Sequence, residues 1–253
     1  SGLDATLAVL DAHPNIEVRL FNPFGIRGAR FIGYLTDFSR LNRRMHNKSF
    51  TVDNQVAIVG GRNVGDEYFG ATEGALFVDL DAMAIGPVVN EVSNDFDRYW
   101  ASGSSYPVDR LLPPADAEQI THFASRLALM ENSPEATAYV NALHDTPFVD
   151  DLLAGRLSFE WAGTHMVSDD PAKALKKSAP LNLVSNELGK LFGESTTELD
   201  LVSAYFVPTA AGVDALVPMA QRGVNVRVLT NSLESTDVPL VHAGYAKRRK
   251  ALL

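Results

Sequence analysis

His46 and Lys48 stand two residues apart in the run His46-Asn47-Lys48-Ser49-Phe50-Thr51-Val52-Asp53, which has the form H-x-K-x4-D. Six residues separate Asp53 from Gly60 and Gly61, and Asn63 stands two residues after Gly61. An imidazole beside an ammonium suits a phosphate ester. The imidazole can attack phosphorus or hand over a proton, and the ammonium is a fixed positive charge for the phosphoryl oxygens. Gly60 and Gly61 let backbone approach closely, and the Asn63 amide can donate to an oxygen. Asp53 completes the motif. It falls where a hairpin turn is expected, a place aspartate occupies for backbone reasons, so its part reads as positional.

The surrounding elements must hold these side chains together. His46–Val52 and Val56–Val59 alternate like two strands, joined by Asp53-Asn54-Gln55. In a strand, residues i and i+2 share a face, which would put His46 and Lys48 into one pocket and turn Asn47 and Ser49 away. A helix is expected from Thr36 to Arg44, with Phe38 and Leu41 on one side. A polar loop should run from Gly60 to Gly74, followed by a strand over Ala75–Leu80. Gly86-Pro87 opens a helix to Trp100, with proline in its first turn.

Further out, Leu3, Leu7 and Leu10 mark a first helix, and Ile16, Val18 and Leu20 a strand. Residues 101–116 read as loop and 117–192 as helices with connections, with Leu181, Val184, Leu188 and Leu191 forming one stripe. Leu199–Val207 reads as a buried strand stopped by Pro208, Val213–Gln221 as a helix, Val224–Leu229 as a strand and Leu240–Leu253 as a helix. Strands alternating with helices define an α/β class fold. An internal repeat is also present. Ile16-Glu17-Val18-Arg19-Leu20-Phe21-Asn22 matches Val224-Asn225-Val226-Arg227-Val228-Leu229-Thr230 in apolar pattern and arginine position, 208 residues apart.

The chain has 253 residues, 46% hydrophobic and 21% charged, and no cysteine. That excludes a disulfide scaffold, a thiolate zinc site and a cysteine nucleophile. The net charge of −9 argues against a nucleic-acid groove, and no nucleic-acid partner is expected. Two local basic groups, Arg40-Arg43-Arg44-Lys48 and Lys247-Arg248-Arg249-Lys250, read as solvated helix faces. No apolar run is long enough to span a bilayer. The first residues lack the basic region of a signal peptide. The chain has no initiator Met and ends inside a helical pattern, as a piece cut at both ends would.

The motif His46-x-Lys48-x4-Asp53-x6-Gly60-Gly61-x-Asn63 resembles the signature of the phospholipase D superfamily. Asn42–Lys48, Gly60–Phe69, Phe77–Asp81, Ser203–Pro208 and Leu229–Leu233 are similar to the corresponding stretches of bacterial cardiolipin synthases of the C type. The resemblance implies two α/β halves related by a pseudo-twofold axis, a central β-sheet flanked by helices, and one motif from each half. Only one motif is present here. The other histidines, His13, His122, His144, His165 and His242, have no lysine two residues on. Asn22 precedes His46 by 24 residues, and the same gap after Thr230 reaches position 254. The second half therefore reads as truncated. The expected divisions are a first half over 1–110, a helical connection over 111–195 and the start of the second half over 196–253.

The resemblance further implies transfer of a phosphatidyl group from a phospholipid phosphodiester to an acceptor alcohol through a phosphohistidine on His46. Lys48 and Asn63 would hold phosphate oxygens, and Asp79 is the candidate acid to orient the imidazole. No cofactor or metal is needed. The implied partners are phospholipids, phosphatidylglycerol first and phosphatidylethanolamine second. The implied location is the surface of a bacterial cytoplasmic membrane, with a homodimer as one way to pair two single motifs. Two alternatives stay open: a phosphodiesterase or nuclease of the same superfamily, and an inactive fragment.

Overall fold

The computed structural model describes residues 3–24, 43–69, 77–175, 184–236 and 238–253. The chain divides into two compact units, Ser1–Ser178 and Ala179–Leu253.

In the first unit, α1 (Asp4–Asp11) precedes β1 (Arg19–Phe21), which pairs antiparallel with β5 (Ser105–Pro107). Ala8, Val108 and Leu112 are buried there, with Leu7, Val18 and Leu20 packed on them. β1 is shorter than the expected strand from Ile16, because its pairing ends where Pro107, which has no N–H, faces Arg19. The stretch expected as loop, 101–116, thus holds a strand and a 3-10 turn over Val108–Arg110.

A three-stranded antiparallel sheet carries the motif: β2 (Ser49–Val52), β3 (Val56–Gly60) and β4 (Asp81–Ile85), in that order. One helical turn, α2 (Asp66–Phe69), lies in the expected polar loop. Of the strand expected over Ala75–Leu80, positions 75 and 76 lie outside the described residues and 77–80 form no strand, which begins instead at β4. Pairing with β3 runs from Val56↔Ile85 to Gly60↔Asp81 and selects Asp81–Ile85 over the alternating Phe77–Leu80. Helix α3 (Pro87–Trp100) covers this sheet. Gly86 takes φ +83°, a left-handed conformation that suits glycine, and Pro87 begins the helix. Val89 and Val92, three residues apart on one face, bury against the fully enclosed Ala57, with Val59 and Met166 beside them.

Helices α4 (Ala117–Glu131), α5 (Pro134–His144) and α6 (Pro147–Leu153) follow, and none contributes a buried residue. Asp116 and Gln119 form a capping box at the start of α4, and Ser133 caps α5. The unit closes with a 3-10 turn at Pro171–Leu175.

The second unit is built from α7 (Val184–Gly193), β6 (Glu198–Val202), α8 (Ala210–Gln221), β7 (Asn225–Leu229), α9 (Pro239–Ala246) and α10 (Arg249–Leu252). β6 and β7 are parallel and joined through α8, whose Leu216 and Met219 bury with Val224. β6 alternates between exposed and half-buried residues and stops at Val202, so the long buried strand over Leu199–Val207 is not formed. Leu199 and Leu201 face the core, while Asp200 pairs with its cross-strand partner Arg227. Of the expected stripe, Leu181 lies outside the described residues, and in α7 Leu188 and Leu191 are exposed while Phe192 packs on the core. The terminal helix is interrupted at Lys247-Arg248 rather than continuous.

Among the described residues the strands make three small sheets, not one central sheet. β1 pairs antiparallel and β7 parallel, so the two copies of the sequence repeat have different strand partners. The helix expected over Thr36–Arg44 lies outside the described residues up to position 42, and Arg43 and Arg44 are not helical. No helix among the described residues is long and apolar enough to cross a membrane.

Candidate active site

Residues 43–48 run without regular structure and become β2 at Ser49. The expected strand thus starts three residues late, since β2 pairs with β3 only up to Ser49↔Val59. Strand alternation does not govern the motif: Asn47, Lys48 and Ser49 all line one cleft. His46 and Lys48 nevertheless meet. Lys48 Nζ lies 3.1 Å from His46 Nδ1 and 3.4 Å from Nε2, and donates to the His46 carbonyl at 3.0 Å. An ammonium has only protons to give. Its contact with the ring is a hydrogen bond when the facing nitrogen carries its lone pair. His46 is exposed and Lys48 half-buried.

Side chains from elsewhere hold this irregular segment. Asn22 Nδ2 donates to the Arg43 carbonyl at 2.7 Å, and Arg43 Nη1 donates to the Ala174 carbonyl at 2.7 Å. The Tyr99 hydroxyl donates to the Asp169 carbonyl at 2.9 Å. Burial pushes the Tyr99 hydroxyl above the ordinary tyrosine pKa.

Asp53 sits in the β2–β3 turn, exposed, at φ +49°, followed by Asn54 at φ +54°. Gln55 N donates to Val52 O at 2.9 Å, and Ser93 Oγ donates to Asn54 Oδ1 at 2.7 Å. Asp53 is thus at the opposite end of β2 from Lys48.

Gly60 and Gly61 do admit close neighbours, but these are carboxylates. A Cβ on Gly60 would lie 2.7 Å from Asp81 Cγ, and one on Gly61 would lie 2.6 Å from Asp79 Cγ. Asp79 precedes β4 rather than lying in a strand, and its Oδ1 accepts from Leu80 N at 2.8 Å. The structure brings Asp79 to Gly61, while the group against the His46 ring is Lys48. Asn63 Nδ2 carries two protons, one of which goes to Tyr68 Oη at 2.9 Å. Arg62, which the motif reading passed over, pairs with Asp81 through Nε at 2.7 Å, donates to the Tyr68 carbonyl and stacks 5.7 Å over Phe69.

The cleft has a volume of about 730 Å³. Its polar lining includes Lys48, Arg62 and Asn63 and also the carboxylates Asp81 and Asp95, while His46 is not among the lining residues. Its wall is aromatic: Phe21 from β1, Phe50 from β2, Phe69 from α2, and Phe96, Tyr99 and Trp100 from α3. Phe96 and Trp100 stack at 5.4 Å, and Arg19 lies 4.7 Å over Trp100 while donating to its carbonyl. A cleft with an aromatic wall and charged groups of both signs in its lining suits an amphiphile with a polar head. The one-turn spacing of Phe96 and Trp100 is a signal present in the sequence. That the other aromatics converge on them is not.

No family model and no solved structure matches the chain. Among curated proteins, it is 50% identical to cardiolipin synthase C of Escherichia coli (strain K12) over 255 residues, which is 100% of this chain and 53% of that protein. It is 30% identical to an uncharacterized protein of Helicobacter pylori (strain ATCC 700392 / 26695), over 100% of this chain and 51% of that one. Cardiolipin synthase A of Pseudomonas syringae pv. syringae (strain B728a) is 29% identical, over 83% of this chain and 33% of the relative. The chain spans about half the length of the first two relatives. These matches are consistent with the phospholipase D superfamily resemblance carried by the motif. The chain is a homologue of cardiolipin synthase C, aligned along its whole length with about half of that protein.

Proposed function

We propose that this chain carries the nucleophilic half of a phosphatidyltransferase of the cardiolipin synthase type. The observation that carries the reading is Lys48 Nζ set 3.1 Å from the His46 imidazole beside an aromatic cleft. The 50% identity to cardiolipin synthase C supports it.

In this reading a phospholipid phosphodiester enters the cleft, and Lys48 turns from the imidazole to the phosphoryl oxygens. The His46 lone pair attacks phosphorus, and the bond from phosphorus to the leaving alcohol breaks. The products are a phosphatidyl-histidine and an alcohol, which takes its proton from a general acid. An acceptor alcohol then attacks the same phosphorus, the N–P bond breaks, and the acceptor's proton goes to that acid. Donor and acceptor are both phospholipid alcohols, with phosphatidylglycerol first among them. The acid belongs to a second H-x-K motif contributed from outside these 253 residues, by the rest of a longer protein or by a second copy. Gly60 and Gly61 keep Asp81 and Asp79 close to the sheet, and Asp81 braces Arg62 at the rim. The site works at a membrane surface reached peripherally.

The test is turnover of labelled phosphatidylglycerol against protein concentration, for the parent chain and for His46→Ala. Activity that rises more steeply than linearly and vanishes in His46→Ala supports the reading. Linear activity from a proven monomer overturns the need for a second motif. Activity that survives His46→Ala overturns the nucleophile.

A further inference from the structure

Of the connection between β3 and β4, residues 61–69 and 77–80 are described, and the two stretches run side by side. Gly60 and Asp81 are cross-strand partners, and beyond them a Cβ on Gly61 would lie 2.6 Å from Asp79 Cγ. Phe77 N donates to the Glu67 carbonyl at 3.0 Å, and the Tyr68 and Phe77 rings meet edge to face at 5.4 Å. Asp81 holds Arg62 at 2.7 Å, and Asn63 Nδ2 donates to Tyr68 Oη at 2.9 Å. The connection is braced by its own polar and aromatic groups.

Three of its aliphatic residues take no part in that bracing. Val64 is fully exposed, Val78 97% and Leu80 84% exposed. Asp79, between the last two, turns its carboxylate onto Gly61 while both neighbours face solvent. One exposed aliphatic side chain is ordinary, but three on adjacent stretches beside a cleft mark a contact surface. Val64 also lines the cleft, so apolar surface runs from the cleft wall onto the connection. Charge and size narrow what that surface meets. The described connection carries Arg62, already paired with Asp81, against Asp66, Glu67 and Asp79, so coulombic attraction to an anionic surface is not what it offers. A stable protein interface takes about 20–30 residues a side, and three aliphatic side chains supply a small part of that. Set into the outer part of a bilayer, they need no shaped partner. A cleft of about 730 Å³ encloses a drug-sized molecule, so a two-chain phospholipid would keep part of its chains outside, next to Val64.

We propose that Val64, Val78 and Leu80 form the edge by which the protein seats on a phospholipid bilayer, with the cleft opening beside the lipid. The choice of a bilayer rests on the phosphatidyl-transfer reading of the site. The seating itself is a binding event and is read without turnover. It is apolar in kind, so a neutral phosphatidylcholine surface suffices and salt does not reverse it.

The experiment measures co-sedimentation with phosphatidylcholine vesicles at about 1 M salt, where surface charges are screened within about 3 Å. The proteins are the parent chain, the double variant Val78→Ser/Leu80→Ser, and Leu129→Ser, which alters a comparably exposed leucine on α4. The double variant should bind at least about tenfold more weakly, since each aliphatic side chain taken out of water is worth roughly that factor. Leu129→Ser should bind as the parent does. Equal binding by all three, an equal loss in Leu129→Ser, or no binding by the parent overturns the proposal. A parent that dimerises without lipid, beside a double variant that stays monomeric, makes a second copy the occupant and also overturns it. Should the double variant not melt cooperatively, Val78→Cys decides, because the chain has no cysteine and a polarity-sensitive fluorophore can be attached there alone. Its emission should shift to the blue when vesicles are added, while the same probe on Leu129→Cys stays put. No shift at position 78, or the same shift at both positions, overturns the proposal. Lipid turnover that survives His46→Ala would count against the phosphoryl reading and leaves these binding data to decide the seating.

Discussion

Gly60 and Asp81 are cross-strand partners so close that a Cβ on the glycine would lie 2.9 Å from the Asp81 Cα. Backbone at that distance cannot swing aside as a flexible side chain can. The pairing of β3 with β4, and the ion pair from Asp81 to Arg62, depend on this glycine. Gly60→Ala should therefore destabilise the protein by about 1–3 kcal/mol, the usual cost of forcing a methyl group into packed space. Denaturant unfolding measures it. Asp81→Ala in the same background should recover only part of the loss, because the clash with Asp81 Cα remains. Full recovery would place the whole clash on the carboxylate.

Lys48→Ala should slow phosphatidyl transfer by about 10²–10³-fold in an active assembly, the loss expected for one preorganised charge partner of a transition state. Melting should barely change, since among the described residues the Lys48 ammonium bonds to exposed groups of His46. The check is kcat with labelled lipid beside a thermal melt. A rate within a factor of about three of the parent would remove Lys48 from the phosphoryl step.

Asp53 offers a test of turn against chemistry. At φ +49° the position favours glycine, asparagine or aspartate. Asp53→Asn should leave stability within about 0.5 kcal/mol. Asp53→Val should cost about 1–2 kcal/mol, because a β-branched residue resists the left-handed region. Neither should change turnover once the protein is folded. A large rate loss in a fully stable Asp53→Asn variant would show the carboxylate acting in the chemistry.

The tie between Glu91 on α3 and the Met166 amide, 2.8 Å long, depends on acidity. The Met166 amide holds the Glu91 carboxyl below the ordinary glutamate value, and His165 adds to the shift. A carboxyl whose pKa is lowered by folding contributes stability above its unfolded pKa and loses it as pH falls through the folded value. Protection of the Met166 amide against deuterium exchange, corrected for intrinsic rate, should thus be full at about pH 6 and fall towards about pH 3. Glu91→Gln should remove that dependence. Unchanged protection across the range would show that the tie does not rest on the charged carboxylate.

What was legible in the sequence follows from what is local. Helix α3 runs from Pro87 to Trp100 as expected, because Gly86-Pro87 is a start signal carried by two adjacent residues. The β2–β3 hairpin was legible from the turn residues. The strand after the loop was not. Phe77, Val78 and Leu80 look more like a strand than Asp81-Ala82-Met83-Ala84-Ile85, yet pairing with β3 selects the latter. At the site, the types His46 and Lys48 announced their meeting, but the strand geometry invoked to bring it about is absent. The ties from Tyr99 and Arg43 end on the carbonyls of Asp169 and Ala174, a group every residue carries, so no pattern of side chains encodes them.

Helices α4 to α6 have another consequence. With no buried residue between them, little free energy couples their opening to the unfolding of the sheet that carries the motif. They should exchange amide protons early and be the first region nicked by a protease, at the short connections around Asn132 and Thr146. The fold around β2, β3 and α3 should outlast the cut. Limited digestion would then release peptides from 117–153 while the core of Ala57, Val89 and Val92 stays protected.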